Sequence, residues 1–147
     1  MAKFNFKYET VKSVREAIEK KVQKELAEID LKIRRKLEEI QKLELKKFND
    51  KREFEQKKKV SIAEIKFFEK YLESLDEEKV KIQAEINVLK KKRERKHLEL
   101  IEKAQEVKIM EKLREKHLEE FLISERRLEQ KQIDEIATEL FIRNNSE

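Results

Sequence analysis

The chain has 147 residues, of which 48% are Asp, Glu, Lys or Arg, and it contains no Gly, Pro, Cys or Trp. Compact domains need Gly and Pro at turns and clustered apolar residues in a core, so this composition excludes most globular folds and favours one or two long helices. The lack of cysteine excludes disulfides and cysteine-based sites, and the net charge of +5 agrees with an acidic partner.

The first predicted helix covers about residues 4–58. Its apolar residues recur every three or four positions, which indicates a helix with one narrow apolar stripe. The mean step of about 3.6 residues predicts a nearly straight coiled coil, and the stripe needs a partner helix to bury it. The stripe consists of Val11, Val14, Ile18, Val22, Leu26, Ile29, Ile33, Leu37, Ile40 and Leu43.

A turn is predicted at about residues 57–61, where the stripe thins out and VSIAEI follows. Ser61 can accept a hydrogen bond from the next helical turn while Glu64 reaches back, which is the capping-box arrangement. A second candidate cap at Ser74 lies within a continuous apolar stripe, so the earlier position is preferred.

The second predicted helix covers about residues 61–142, followed by a disordered tail at 143–147. At about 1.5 Å per residue the two helices would be about 80 Å and 120 Å long. The sequence therefore predicts an all-α fold, a long two-helix antiparallel coiled-coil hairpin whose second helix is longer, with residues 1–147 as a single domain.

Charge favours pairing of the two arms. Residues 1–60 carry 19 basic and 12 acidic residues, whereas the remainder carries 19 and 21. Contacts between exposed charges are weak, however, so a parallel dimer of one unbroken helix stays open at this point.

No catalytic, cofactor-binding or metal-binding residues are predicted. Phosphate-binding loops need glycine, and the two histidines, His97 and His117, would lie about 30 Å apart on one helix. Each is interpreted as a polar residue in or beside the helix interface. We therefore expect no enzyme, no cofactor and no small-molecule substrate.

Membrane and nucleic-acid binding are not favoured either. No apolar run approaches the roughly 20 residues of a membrane span, and MAKFNFKYE lacks the apolar core of a signal peptide, so we expect a soluble cytoplasmic protein. The basic run KKKRERKH, Lys90 to His97, has no aromatic residue for base stacking. It is interpreted as a solvated face or a contact for an acidic protein.

Two segments are candidate partner-binding surfaces. Phe67 and Tyr71, four residues apart, would share an outward face if Phe68, Leu72 and Leu75 face the first helix; a broader core that includes Phe54 is the alternative. The second is a stripe near the end of the chain, which would extend beyond its partner helix unless the N-terminal KFNFKY covers it. It consists of Ile133, Ile136, Ala137, Leu140 and Phe141.

Several segments resemble the FliJ family, the small coiled-coil proteins of the bacterial flagellar type III export apparatus. They are KFNFKYETVKSVRE, KYLESL and MEKLREKHLEEFLISERRLEQKQIDEIATELF. The family's final pattern is matched loosely by Lys112 to Lys116 and closely by Glu129 to Ala137. Many relatives have glycine at the turn, which this chain lacks, and Glu78 stands where the family often has a small residue.

The resemblance implies a non-enzymatic stalk that docks in the central hole of the hexameric flagellar export ATPase and promotes its activity. It also implies contacts with the cytoplasmic domain of the export-gate membrane protein and with export chaperones, at the inner face of the cell membrane. Ile133, Asp134, Ile136 and Phe141 are then the predicted ring contacts, and Tyr71 and Leu75 the predicted gate contacts. A self-associating scaffold and a stalk subunit of another secretion or rotary ATPase are the alternatives.

Overall fold

The computed structural model describes residues 2–146, which form two helices packed against each other. Helix α1 is Glu9–Glu55 and has 47 residues, and helix α2 is Ile62–Asn145 and has 84 residues. No strand occurs within the described range. The predicted all-α fold, with two paired helices of which the second is longer, is confirmed.

The helices contribute to two compact units. One unit, here called the turn unit, is Lys20–Ile101 and contains the connection between the helices. The other, here called the terminal unit, joins the N-terminal residues up to Glu19 with the residues from Glu102 onwards.

The core of the turn unit is a single row of aliphatic side chains. Ile40, Ile82 and Ile86 form a buried cluster, and the partly buried Ile33 and Leu43 pack against it. Ile86 is completely buried. All five belong to the 3.6-residue pattern, because each helix can turn only one narrow stripe toward its partner.

Polar contacts between the helices show that the two arms of the hairpin run in opposite directions. As the residue number rises along α1, the number of its partner on α2 falls. The pairs, with the α1 residue first, are Glu25–Lys96, Asp30–Arg93, Lys36–Glu85, Glu44–Lys79, Lys47–Asp76 and Asp50–Tyr71.

The connection between the helices spans residues 56–61, between the end of α1 and the start of α2. The Ser61 hydroxyl accepts a hydrogen bond from the backbone N–H of Glu64 at 3.1 Å, so the Ser61 half of the predicted capping box is confirmed. Ser74, the other candidate, lies inside α2 and donates its hydroxyl to the Tyr71 carbonyl. No residue in the range 2–146 has a positive φ, which explains how a chain without glycine can make this connection.

The terminal unit starts differently from the prediction. Helix α1 begins at Glu9 and not at about residue 4. Phe6 is buried, and the ring of Phe4 lies 5.6 Å from the ring of Phe121 on α2. Because these aromatic side chains gain contacts on α2, the residues that carry them precede the helix instead of joining it.

Helix α2 also continues further than predicted. It extends to Asn145, into the segment expected to be a disordered tail. The N–H of Ser146 still donates to the carbonyl of Ile142 at 3.1 Å, which continues the helical bonding pattern. Met1 and Glu147, the ends of the predicted domain and tail, lie outside the described residues.

The buried row predicts a large effect for its central residue. Ile86→Ala should lower the free energy of unfolding by about 2–5 kcal/mol, because it removes a completely buried side chain and leaves a cavity. Urea unfolding followed by far-ultraviolet circular dichroism measures the change. The control Val88→Ala, at a position 63% exposed on the same helix, should change it by less than about 0.5 kcal/mol. Equal losses in the two variants would contradict the single-row core.

Tyr71 should titrate at a higher pH than an ordinary tyrosine. Its hydroxyl donates a hydrogen bond to the Asp50 carboxylate, which raises the pKa of Tyr71 by favouring the protonated phenol. The contact therefore stabilises the fold below the pKa of an unfolded tyrosine and is lost as the pH rises through the folded pKa. Phenolate absorbance in a Tyr8→Phe background isolates Tyr71, and Asp50→Asn should lower its pKa; an unchanged titration would contradict the contact.

Candidate partner-binding surfaces

The terminal unit carries an exposed apolar face near the end of α2, here called the terminal stripe. Its members are Ile133, Ile136, Ala137, Leu140 and Phe141, and each large side chain among them is more than half exposed. At 3.6 residues per turn the first four share one helix face, and Phe141 flanks it. Every described residue from 126 onwards is exposed. Within the range 2–146, therefore, no element packs on this face.

Asp134, the predicted polar ring contact, lies beside the terminal stripe and is exposed. Its carboxylate accepts a hydrogen bond from Gln130 Nε2 at 3.0 Å, and its carbonyl accepts one from the Thr138 hydroxyl at 2.8 Å. Both partners are one turn away on the same helix. The carboxylate is thus oriented by its own helix and keeps acceptor capacity for a partner.

The N-terminal segment, residues 2–8, does not cover the terminal stripe. Its rings contact an earlier part of α2: Phe6 packs edge-on against His117 at 5.5 Å between ring centres, and Phe4 contacts Phe121. The Arg114 guanidinium lies over the Phe4 ring at 5.5 Å. The alternative in which KFNFKY shields the stripe is therefore wrong, because aromatic and cationic partners for these rings lie at 114–121.

A cluster of aromatic side chains lies next to the connection in the turn unit. Phe54 of α1 and Phe68 of α2 stack with ring centres 4.1 Å apart and planes 7° from parallel. The ring of Tyr71 lies 6.0 Å from that of Phe68. The alternative of a broader core that includes Phe54 is therefore present in the structure, and it takes up part of the expected outward face.

The two predicted gate contacts both lie toward α1. Tyr71 is half-buried because its hydroxyl reaches Asp50, so it does not share an outward face with Phe67. Leu75 is 6% exposed and forms the wall of a groove together with Phe48 and Lys79. The residue that does point outward is Phe67, which is 78% exposed.

Sequence reasoning missed two residues at this cluster. Asp50 was not selected, because an acidic residue on a charged helix has no local signal that it will meet a tyrosine 21 positions later. Phe48, which lies beyond the end of the predicted stripe at Leu43, is 63% exposed and lies on the rim of the groove. A large aromatic side chain is not needed at the edge of a narrow helix interface, so its presence at Phe48 is the signal that could have identified this residue.

The basic run Lys90 to His97 is only partly paired. Arg93 bonds to Asp30, and Lys96 bonds to Glu25 at 2.6 Å. The hydrogen bond between Lys96 and Glu25 raises the pKa of Lys96 and lowers the pKa of Glu25. Lys90, Lys91, Lys92 and Arg95 are exposed and make no ion pair among the described residues. Arg93 is exposed at the edge of the interface, from where it reaches a carboxylate of the other helix.

The histidines differ in environment. His97 is exposed and lines a shallow groove with Asp30 and Lys90, whereas His117 is half-buried against the rings of Phe6 and Tyr8. No cluster of three or more His, Cys, Asp or Glu side chains in the range 2–146 could hold a metal ion. Neither described helix is long and apolar enough to cross a membrane.

Comparison with known proteins connects these surfaces to a family. A family model described as "Flagellar FliJ protein" matches residues 4–146. Neither the curated proteins nor the solved structures gave a match. The family match covers essentially the whole chain, including both helices, the connection between them and the terminal stripe. The chain therefore belongs to the flagellar FliJ protein family, and it is a component of the flagellar export apparatus.

Proposed function

We propose that the protein is a non-enzymatic stalk that docks in the central hole of the hexameric flagellar export ATPase and promotes its activity. The observation that carries this proposal is the terminal stripe, an apolar helix face left open within the described chain. Burying one large aliphatic or aromatic side chain is worth about 1.5–3 kcal/mol, so several together give a partner a substantial driving force.

The geometry of the stripe supports a ring as its partner. The stripe occupies one face of a helix whose other residues from Glu129 to Glu139 are polar, so a surrounding ring would meet different chemistry on each side of this segment. At any moment only part of the ring could bury the apolar face. Such an asymmetric contact can favour one subunit over its neighbours, which is how a stalk without catalytic residues could influence the order of ATP turnover.

Asp134 would add orientation to this contact. Its carboxylate flanks the apolar face and is held by Gln130. A polar group that becomes buried in a contact must find a hydrogen-bond partner, because leaving it unpaired costs free energy. Such a group therefore favours one alignment of the two surfaces over others. The predicted ring contacts Ile133, Asp134, Ile136 and Phe141 thus combine an apolar anchor with one polar group.

The aromatic cluster of the turn unit is the proposed contact for the cytoplasmic domain of the export gate. Tyr71 is half-buried beside Phe68, Phe67 is exposed on the same helix, and Leu75 lines the adjacent groove. Aromatic side chains in such settings are frequent anchors of protein interfaces. Handling of export chaperones and a peripheral position at the inner face of the membrane belong to the same proposal.

The ring contact is tested by introducing a charge into the terminal stripe. Ile136→Asp should abolish co-elution with the flagellar export ATPase of the same organism and the rise in ATPase rate, because a carboxylate cannot be buried in an apolar contact. The matched control is Ile109→Asp on the same helix. Ile109 is 59% exposed and Ile136 is 58% exposed, so both changes place a charge at an equally open position.

Normal association of Ile136→Asp with the ATPase would overturn the assignment of the stripe. If the unaltered chain does not bind the ATPase and sediments as a dimer instead, the self-associating scaffold is the better account. Circular dichroism of each variant confirms that helicity is retained.

The gate contact is tested at Tyr71, because Leu75 is buried and its substitution would disturb the fold. Tyr71→Ala should weaken binding to the cytoplasmic domain of the gate protein roughly tenfold or more, as expected when an aromatic anchor is removed. Tyr71→Phe keeps the ring and loses only the bond to Asp50, so it should bind within about threefold of the original chain. Calorimetric titration measures both, and unchanged binding of Tyr71→Ala would contradict the assignment.

A further inference from the structure

A band of the turn unit contains basic residues and no acidic ones, and is here called the basic collar. It consists of residues 31–37 of α1, LKIRRKL, and residues 86–93 of α2, INVLKKKR. These two segments carry eight Lys and Arg residues and no Asp or Glu. They lie at the same level of the hairpin, because Ile33 packs against the cluster that contains Ile86. At about 1.5 Å per residue, the collar occupies roughly 10 Å of the helix axis.

Six of these eight cations have no acidic partner among the described residues. Lys36 pairs with Glu85 and Glu39, and Arg93 pairs with Asp30. The remaining six are all exposed and make no ion pair within the range 2–146; they are Lys32, Arg34, Arg35, Lys90, Lys91 and Lys92. The acids just outside the two segments are Glu28, Asp30, Glu38, Glu39, Glu85 and Glu94.

The unpaired cations surround the hairpin. Lys32 and Lys92 line one groove beside the seam together with Glu25 and Glu28, and Lys90 lines another together with Asp30 and Glu94. At about 100° per residue, Lys32 and Arg34 point to opposite flanks of α1, and Arg35 points away from α2. Lys90, Lys91 and Lys92 spread around α2 in the same way.

This arrangement costs stability in the free chain. Like charges three or four residues apart on a helix repel, and the collar contains such pairs as Lys32 with Arg35 and Lys90 with Arg93. Glu28, Glu38 and Glu94 lie three or four residues from five of the six cations but make no ion pair with them within residues 2–146, so the repulsion is only partly relieved. A partner that supplies negative charge on all sides would remove this repulsion.

A flat or one-sided partner would use only part of the collar. The Debye length is about 10 Å at 0.1 M salt, and each helix is about 10 Å across. Cations on the far side of the hairpin would therefore contribute little to binding a membrane surface or a nucleic-acid duplex. A partner that encloses the hairpin reaches all six.

We propose that the basic collar binds an acidic protein surface that encloses the hairpin, such as an acidic inner wall of the ATPase ring. The inference rests on the proposed function and adds to it a second, electrostatic contact made by the turn unit. The terminal stripe would contribute an apolar contact, whereas the collar would contribute long-range attraction and a salt-dependent association rate.

The test compares two half-collar variants with a matched control. Lys32→Gln/Arg34→Gln/Arg35→Gln neutralises the α1 half, and Lys90→Gln/Lys91→Gln/Lys92→Gln neutralises the α2 half. The control, Lys20→Gln/Lys21→Gln/Lys24→Gln, removes the same charge from three exposed positions of α1 outside the collar. Binding of the full-length chains to the hexameric flagellar export ATPase is measured over a range of salt concentrations, together with thermal unfolding.

Both half-collar variants should bind the ATPase roughly ten- to hundredfold more weakly at low salt, with a flatter salt dependence. The control should stay within about twofold of the original chain. Because repulsion is relieved, the half-collar variants should also unfold at a higher temperature than the original chain. Weaker binding combined with higher stability separates loss of a contact from loss of the fold.

The following results would overturn the proposal, and they can be told apart from a result that overturns the assignment of the terminal stripe. If both variants bind the ATPase normally while Ile136→Asp does not, the stalk assignment stands and the collar assignment fails. If only one of the two half-collar variants binds the ATPase more weakly, the collar is a one-sided anion site. The same conclusion follows if both variants keep normal ATPase binding but bind phosphatidylglycerol vesicles or a DNA duplex more weakly than the original chain. If the original chain does not bind the ATPase at all, both proposals fall.

Discussion

The fold depends on an apolar seam only one row of side chains wide. In the turn unit this row centres on Ile40, Ile82 and Ile86. Neither helix has enough apolar surface to bury by itself, so each is stable mainly as the cover of the other. Because the seam uses a single face of each helix, all remaining faces stay available to solvent or partners. This constraint explains why almost half of the residues can be charged without disrupting the fold.

A repetitive seam does not fix how the two helices align, since sliding by one heptad keeps aliphatic residues in contact. The charges disfavour one of these slips in the turn unit. Lys36 lies opposite Glu85, and a slip of one heptad would place it opposite Lys92 in one direction and Glu78 in the other. The sign of the pairs also varies, with the acid on α1 at Asp30 and the base on α1 at Lys36. These exposed pairs add little stability individually, but the slip toward Lys92 would set two like charges opposite each other.

Features encoded by neighbouring residues were predictable from the sequence. The stripe positions Val22 and Ile40 are buried as the 3.6-residue period indicates, and Ser61 caps α2 as its spacing to Glu64 indicates. Features that depend on distant partners were not. The N-terminal aromatic residues precede α1 because their rings pack against Phe121 and His117. No local pattern around Phe4 signals this contact.

The predicted binding surfaces show the same difference between features encoded locally and features that depend on distant partners. The terminal stripe could be located from helix lengths alone, because exposure follows wherever one helix extends beyond the residues that cover it. Tyr71 could not, because its orientation depends on a carboxylate that approaches from the other helix. Periodicity specifies the face on which a side chain lies, whereas a hydrogen bond to a distant residue decides how far it turns from that face.

The chemical differences along this chain lie on the outer faces of its helices. Every buried side chain within residues 2–146 is apolar, so the polar and charged groups of that range are all at least partly exposed. What varies along the chain is the chemistry of the exposed surface: apolar at Ile136 and Leu140, aromatic at Phe67, and basic at Arg35 and Lys91. Since a helical backbone holds each of these groups in a fixed direction, partners can be separated by position without any conformational change. A protein built this way can serve several partners with one simple fold, provided that its outer faces remain unlike one another.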